Sequence, residues 1–108
     1  MEKAGRATPV VDARALSSAA SLFRALGDHE RLRLLSCLRE GELCVSDLSE
    51  VLGDAMSSIS QRLKVLRQEG LVARRREGKR VLYALADDHV VMLLDAGLAH
   101  AEQGQGAR

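Results

Sequence analysis

A chain of 108 residues has room for one domain. Its two cysteines, Cys37 and Cys44, are too few for a disulfide framework and suit a reducing compartment; one Phe, one Tyr and no Trp argue against a surface that stacks sugars or bases on flat rings. The net charge of +1 hides an asymmetry. Between Arg62 and Arg80 lie eight basic residues (Arg62, Lys64, Arg67, Arg74, Arg75, Arg76, Lys79, Arg80) and only Glu69 and Glu77, a surplus of six that leaves a deficit of five on the rest. From Asp87 to Gln103 there are four acids and no Lys or Arg. A polyanion-binding segment beside an acidic one is implied.

Residues 1–11 read as a flexible arm; they carry both charge signs and lack the apolar core of a signal peptide. Over residues 12–26, Leu16, Ala19, Ala20, Phe23 and Leu26 fall at helical spacing. Gly27 stops that helix and Asp28 is placed to cap a second, with Leu32, Leu34, Leu35, Cys37 and Leu38 on its inner side and Gly41 at its end. A short third helix is predicted over 45–52, stopped by Gly53. After Asp54, Ala55 and Met56, a fourth runs over about 57–69 with Ile59, Leu63 and Leu66 as its buried stripe. Residues 72–76 and 80–85 read as strands joined by Glu77, Gly78 and Lys79. Asp87 or Asp88 opens a last helix to about residue 103, and 104–108 are expected to fray. The domain is therefore 12–103. The longest apolar stretch, over 90–94, is far short of the ~18 residues of a membrane span, so a soluble cytoplasmic protein with no membrane partner is expected.

The order α-α-α-α-β-β-α, mainly α with a small β-hairpin, is that of a winged helix-turn-helix. The outer face of the fourth helix presents Ser57, Ser58, Ser60 and Gln61, short enough to reach base edges in a major groove, with Lys64 and Arg67 suited to phosphates. The hairpin arginines, Arg76 and Arg80 above all, and Lys79 would lie along the adjacent backbone or minor groove. The bland alternative is a winged-helix module used for protein contact. Val90, Val91, Leu93, Leu94, Leu98 and Ala101 cover more of the last helix than a lone domain needs to bury, so a homodimer through the first and last helices is expected. Such a dimer sets two recognition helices at half-sites ~34 Å apart on palindromic double-stranded operator DNA.

Several runs carry a resemblance: Leu32-Arg33-Leu34-Leu35, then Glu42-Leu43-Cys44-Val45-Ser46-Asp47-Leu48, then Ser57-Ser58-Ile59-Ser60-Gln61-Arg62-Leu63-Lys64-Val65-Leu66, and Gly78-Lys79-Arg80-Val81-Leu82-Tyr83. The chain resembles the ArsR/SmtB family of metal-responsive repressors over about residues 16–103. The resemblance implies a homodimer that binds operator DNA when metal-free and is released by an inducer, with Ser57, Ser60 and Gln61 where the family's recognition helix touches bases. Two positions depart: Gln61 stands where many relatives have His, and Ala55 where they have a Ser cap. The operator sequence therefore does not follow from the likeness.

The last helix carries Asp87, His89 and, eleven residues on, His100. Eleven residues bring two side chains back within about 20° of one helix face but ~16.5 Å apart along the axis. A metal holds each ligand at ~2 Å, so one chain cannot close such a site, whereas two antiparallel copies can. Asp87 and His89 converge only if Asp87 sits at or before the N-cap. His100 and Gln103 share a face; Glu102 does not. The set resembles the C-terminal-helix zinc site of the family's zinc sensors, in which Asp, His, His and a fourth Glu or His have this spacing. Asp87, His89 and His100 match, Gln103 stands fourth, and water, Gln103 or a shifted Glu102 completes the tetrahedron. The expected inducer is Zn(2+), with Co(2+) or Ni(2+) as alternatives. In similar zinc sensors a metal-bound His donates its other ring N–H to a backbone carbonyl just after the recognition helix, which maps to Gly70.

In relatives that sense softer metals, a pair of cysteines two apart lies around Cys44; here the second place is Ser46. Cys44 reads as structural, with thiol oxidation as the alternative route to induction. Cys37 reads as core. No phosphate loop, nucleophile elbow or carboxylate pair points to catalysis, so no enzyme is expected.

Overall fold

The computed structural model describes residues 11–106 and consists of five helices and one hairpin. They are α1 (Ala13–Leu26), α2 (His29–Leu38), α3 (Val45–Leu52), α4 (Met56–Gln68), β1 (Val72–Glu77), β2 (Arg80–Leu85) and α5 (Asp88–Gly106). This is the predicted winged helix-turn-helix order. The arm expected over 1–11 lies, except for Val11, outside the described residues. α5 continues to Gly106 rather than stopping at 103, so Gly104 lies within the helix, where glycine is tolerated at a modest cost.

Three aspartates start three helices. Asp12 accepts from the Ala15 N–H at 2.7 Å, Asp28 from Arg31 at 3.0 Å and Asp87 from Val90 at 3.1 Å, each satisfying an amide that has no partner in the first turn. Arg31 then reaches back, its Nε donating to the Ala25 carbonyl at 2.8 Å, and so closes the end of α1 against the start of α2.

Leu34, Leu35, Leu48, Ile59, Leu63, Leu66 and Leu71 are fully buried and form the centre of the core, drawn from α2, α3, α4 and the segment entering β1. Val90 and Leu94 seat α5 on it. The stripe predicted for α4 is confirmed residue for residue. That of α1 is not: Ala25 is buried and Leu22 and Leu26 pack against the core, but Leu16 and Phe23 are 61% and 57% exposed.

β1 and β2 pair antiparallel with Glu77 opposite Arg80, which extends the first strand one residue beyond its predicted end and leaves a two-residue turn. Gly78 takes φ +63° there, a conformation open to Gly at the first position of a hairpin turn. Leu43 adds a third rung: its N–H donates to the Tyr83 carbonyl at 3.0 Å and its carbonyl accepts from Tyr83 at 2.8 Å. The chain between α2 and α3 thereby fixes the wing's inner strand. No helix of the described residues is long and apolar enough to cross a membrane.

Candidate nucleic-acid interface and metal centre

α4 is aimed by its stripe. With Ile59, Leu63 and Leu66 turned into the core, Ser57, Ser60, Gln61, Lys64 and Arg67 are left exposed on the opposite side. Ser58 is half-buried rather than open, a correction to the sequence reading, because it lies on the same flank of the buried stripe as Arg62 and Val65, which are half-buried too. The turn into α4 is braced by charge. Arg62 Nη1 meets Asp54 at 2.8 Å, and Arg33 donates to the Leu52 carbonyl at 2.9 Å. Ala55 at the N-cap offers no side-chain bond.

The basic surplus divides into two classes. Arg62 is taken by Asp54, Arg75 forms a two-pronged pair with Glu42 at 2.8 and 2.7 Å, and Arg80 lies 3.2 Å from Asp47. Lys64, Arg67, Arg74, Arg76 and Lys79 have no carboxylate partner among the described residues. Arg76, Lys79 and Arg80 are exposed on the wing as predicted, but Arg80 is anchored to α3 rather than standing free. Lys64, Arg67 and Arg74, with Ser60, Leu63 and Tyr83, line a cleft of about 290 Å³ between α4 and the hairpin. The sequence reading counted Arg74 only among the hairpin arginines in general and passed over Tyr83. They lie directly opposite each other in the hairpin register, a relation that appears only once the strands are paired.

Behind Arg80 sits Cys44. Its Sγ lies 3.1 Å from Ser46 Oγ, donates to Asp47 Oδ2 at 3.0 Å and accepts from Arg80 Nη2 at 3.6 Å. The bond with Ser46, joined by that from Arg80, holds the thiol below its ordinary pKa although Asp47 opposes the shift.

On α5, Asp87 caps the helix, the position the sequence required for it to converge with His89. Its Oδ1 lies 3.7 Å from His89 Nδ1, and the imidazole is 90% exposed. His100 and Gln103 are exposed farther along the helix. Within one chain, no group of three or more His, Cys, Asp or Glu among the described residues comes together for a metal. Asp95 proves not to belong to an unbalanced acidic face: Arg39 of α2 grips both its oxygens at 2.9 Å. Met92, Leu93 and Leu98 of α5 lie exposed, and the shallow trough between α1 and α5 is lined by Phe23, Leu26, Leu93, Leu94, Leu98 and Ala101.

An exposed polar helix aimed by a leucine core, a basic wing beside it and an open apolar face on the flanking helices define a winged-helix DNA-binding regulator. The description of the bacterial regulatory proteins of the arsR family matches residues 28–74. The chain is 40% identical over 102 residues, 94% of its length and 85% of the relative's, to the HTH-type transcriptional regulator NmtR of Mycobacterium tuberculosis. It is 43% identical to the transcriptional repressor SmtB homolog of Synechocystis, over 78% of this chain and 64% of that one. Among solved structures, the homodimeric winged helix-turn-helix DNA-binding domain of Mb0332 from Mycobacterium bovis superposes with a TM-score of 0.80 at 31% identity, covering 89% of this chain and 91% of the other. The chain belongs to the arsR family and is a transcriptional repressor of that family.

Proposed function

We propose that the protein represses transcription as a homodimer on palindromic operator DNA and lets go when a zinc-class divalent metal binds between its last helices. Ser57, Ser60 and Gln61 read bases, with Ser58 at the edge of that surface. Lys64, Arg67, Arg76 and Lys79 hold phosphates, and Arg80 fixes the wing against α3 while adding its charge to the backbone contacts.

The observation that carries the metal reading is the cap at the start of α5. Two ligands of a tetrahedral zinc lie about 3.3 Å apart, given bonds of ~2.0–2.1 Å. Asp87 Oδ1 and His89 Nδ1 stand 3.7 Å apart, on exposed side chains that need little adjustment. Asp87 and His89 of one protomer would hold the ion with His100 of the other, and Gln103, Glu102 or water completes the set. Zinc would supply a cross-link of fixed geometry, and cobalt or nickel would serve equally as inducer. His89 and His100 would then lock one α5 against its twofold mate. If the locked dimer disfavours DNA, DNA must weaken metal binding by the same factor.

The test is titration of the purified apo-dimer with zinc, cobalt and nickel, reading stoichiometry and release of operator DNA together. Two ions per dimer and loss of DNA are expected. His89→Ala and His100→Ala should each keep DNA binding and lose metal-driven release. Release that persists in the double variant would place the inducer elsewhere.

A second reading, induction by thiol oxidation, is favoured by one observation, the Cys44–Arg80 contact that ties the thiol to the wing. In that case the operator is released by oxidant and Cys44→Ser abolishes the effect.

A further inference from the structure

We propose that the cleft between α4 and β1 seats one phosphate of the DNA backbone in each half-site, and that Arg74 is its principal cation. The inference rests on the DNA-binding reading and adds to it the place where the backbone is gripped.

The two faces of the hairpin serve different ends. Arg75, directly opposite Leu82, and Arg80 belong to one face, and both arginines are paired with acids of the α2–α3 region, Glu42 and Asp47. One residue away, Arg74 belongs to the other face, opposite Tyr83, and turns toward α4. There it meets Lys64 and Arg67, which stand one helical turn apart on the recognition helix. Three cations facing one space without a carboxylate among the described residues repel one another, and an anion in their midst relieves that cost. Ser60, Leu63 and Tyr83 complete the lining, so the three cations supply both the charge and the N–H donors that phosphate oxygens accept. About 290 Å³ leaves room for a phosphodiester and part of its sugar. A phosphate fixed between helix and wing sets the depth and register at which Ser60 and Gln61 meet the bases.

The experiment measures binding of the full-length dimer to a labelled random-sequence duplex across a range of salt concentrations. Each phosphate contact contributes about 0.9 to the slope of log affinity against log salt. Arg74→Ala should therefore lower the slope by about 1.8 per dimer, and Arg74→Lys should largely restore it. Arg75→Ala removes the same charge from the neighbouring residue and should leave the slope unchanged. Circular dichroism confirms that each variant is folded. A steep wild-type slope that Arg74→Ala does not alter, or that Arg75→Ala lowers equally, overturns the cleft while sparing the DNA reading. A wild type with no salt-sensitive duplex binding overturns both. Calorimetry with inorganic phosphate on the DNA-free protein separates the sources: a saturable isotherm lost in Arg74→Ala, with the duplex slope unmoved, would assign the cleft to free phosphate and overturn the backbone assignment.

Discussion

The Ser21 hydroxyl donates to the Glu69 carboxylate at 2.7 Å, joining α1 to the residue that closes the recognition helix. α1 also carries Leu16 and Phe23, two of the large apolar side chains left exposed in a single chain. A shift of α1 at a dimer interface therefore has a direct route to the end of α4. Gly70, the next residue, takes φ +74°, and Leu71 donates back to the Leu66 carbonyl at 2.9 Å, so this end of the helix is tightly defined. If metal releases the operator as proposed, Ser21→Ala should keep the dimer, the metal stoichiometry and the affinity for DNA of the apo-protein. The ratio of operator affinities without and with metal should shrink from the several-fold to hundredfold typical of a coupling of ~1–3 kcal/mol. Anisotropy titrations with and without zinc measure it, and an unchanged ratio rejects Ser21 as a coupling residue.

The exposed apolar face supplies a second expectation. Phe23 is more than half exposed, Leu98 nearly so, and both line the trough between α1 and α5. An apolar patch of this kind marks an interface. Leu98→Glu sets a charge where two copies would meet and should yield a monomer in sedimentation, with the helical signal retained because Leu98 is not part of the core. A dimer that survives both Leu98→Glu and Phe23→Glu would place the interface elsewhere.

Much of the fold was legible because local rules and the core agree. The caps at Asp28 and Asp87, the stops at Gly27 and Gly53 and the stripe of Ile59, Leu63 and Leu66 stand where the sequence put them, whereas the second helix ends at Leu38, short of the expected stop at Gly41. What was not legible is long-range. The pairs Arg39–Asp95 and Arg75–Glu42 join residues 56 and 33 positions apart, and no spacing rule connects them. The sequence could count eight cations in the basic segment, but not that three are spent internally and that Arg74 faces the recognition helix. Leu43 joined the hairpin unseen for the same reason. The proposed metal ligands were legible only as spacing on one helix; the structure brings Asp87 and His89 within 3.7 Å of each other, and no third His, Cys, Asp or Glu among the described residues joins them.

The core gives the largest stability effect. Leu66 is fully buried where α4 meets the rest of the core. Leu66→Ala removes its burial and leaves a cavity, at a cost of about 2–5 kcal/mol. Urea unfolding at fixed protein concentration should show a lower midpoint with the slope preserved. A cost below about 1 kcal/mol would mean that the core collapses around the site.

The carboxylates set an acid limit to stability. Asp95 is held below its ordinary pKa by the hydrogen bonds from Arg39, and Glu42 by those from Arg75. A carboxylate with a lowered folded-state pKa contributes stability that is complete above its unfolded value and fades as pH falls through the folded one. The Tm difference between wild type and Asp95→Asn should therefore be constant from neutral pH down to about pH 5 and vanish below the usual carboxylate range. Since both partners are exposed, the difference should also shrink with salt. A difference that grows on acidification contradicts the assignment.

Cys44 offers the sharpest chemical test of the wing's anchorage. Its Sγ lies among Ser46 Oγ, Asp47 Oδ2 and the Arg80 guanidinium, and the bond with Ser46 is the main cause of its lowered pKa. A thiolate is the reactive form, so Cys44 should alkylate with a midpoint at lower pH than an ordinary thiol. Cys37, packed half-buried against the core, should react much more slowly. Arg80→Ala removes a cation that favours the thiolate and should move the Cys44 midpoint to higher pH. Ser46→Ala should move it farther in the same direction, because Ser46 is the larger influence. Mass spectrometry of iodoacetamide-treated protein across pH, with Cys44→Ser as the blank, reads each shift. Bulk on Cys44 also displaces Arg80 from its place beside Asp47 and frees the wing, so the alkylated protein should bind DNA more weakly than Cys44→Ser does. Equal labelling of Cys37 and Cys44 at every pH, with no effect of Arg80→Ala, would show that the Cys44–Arg80 contact does not persist in solution.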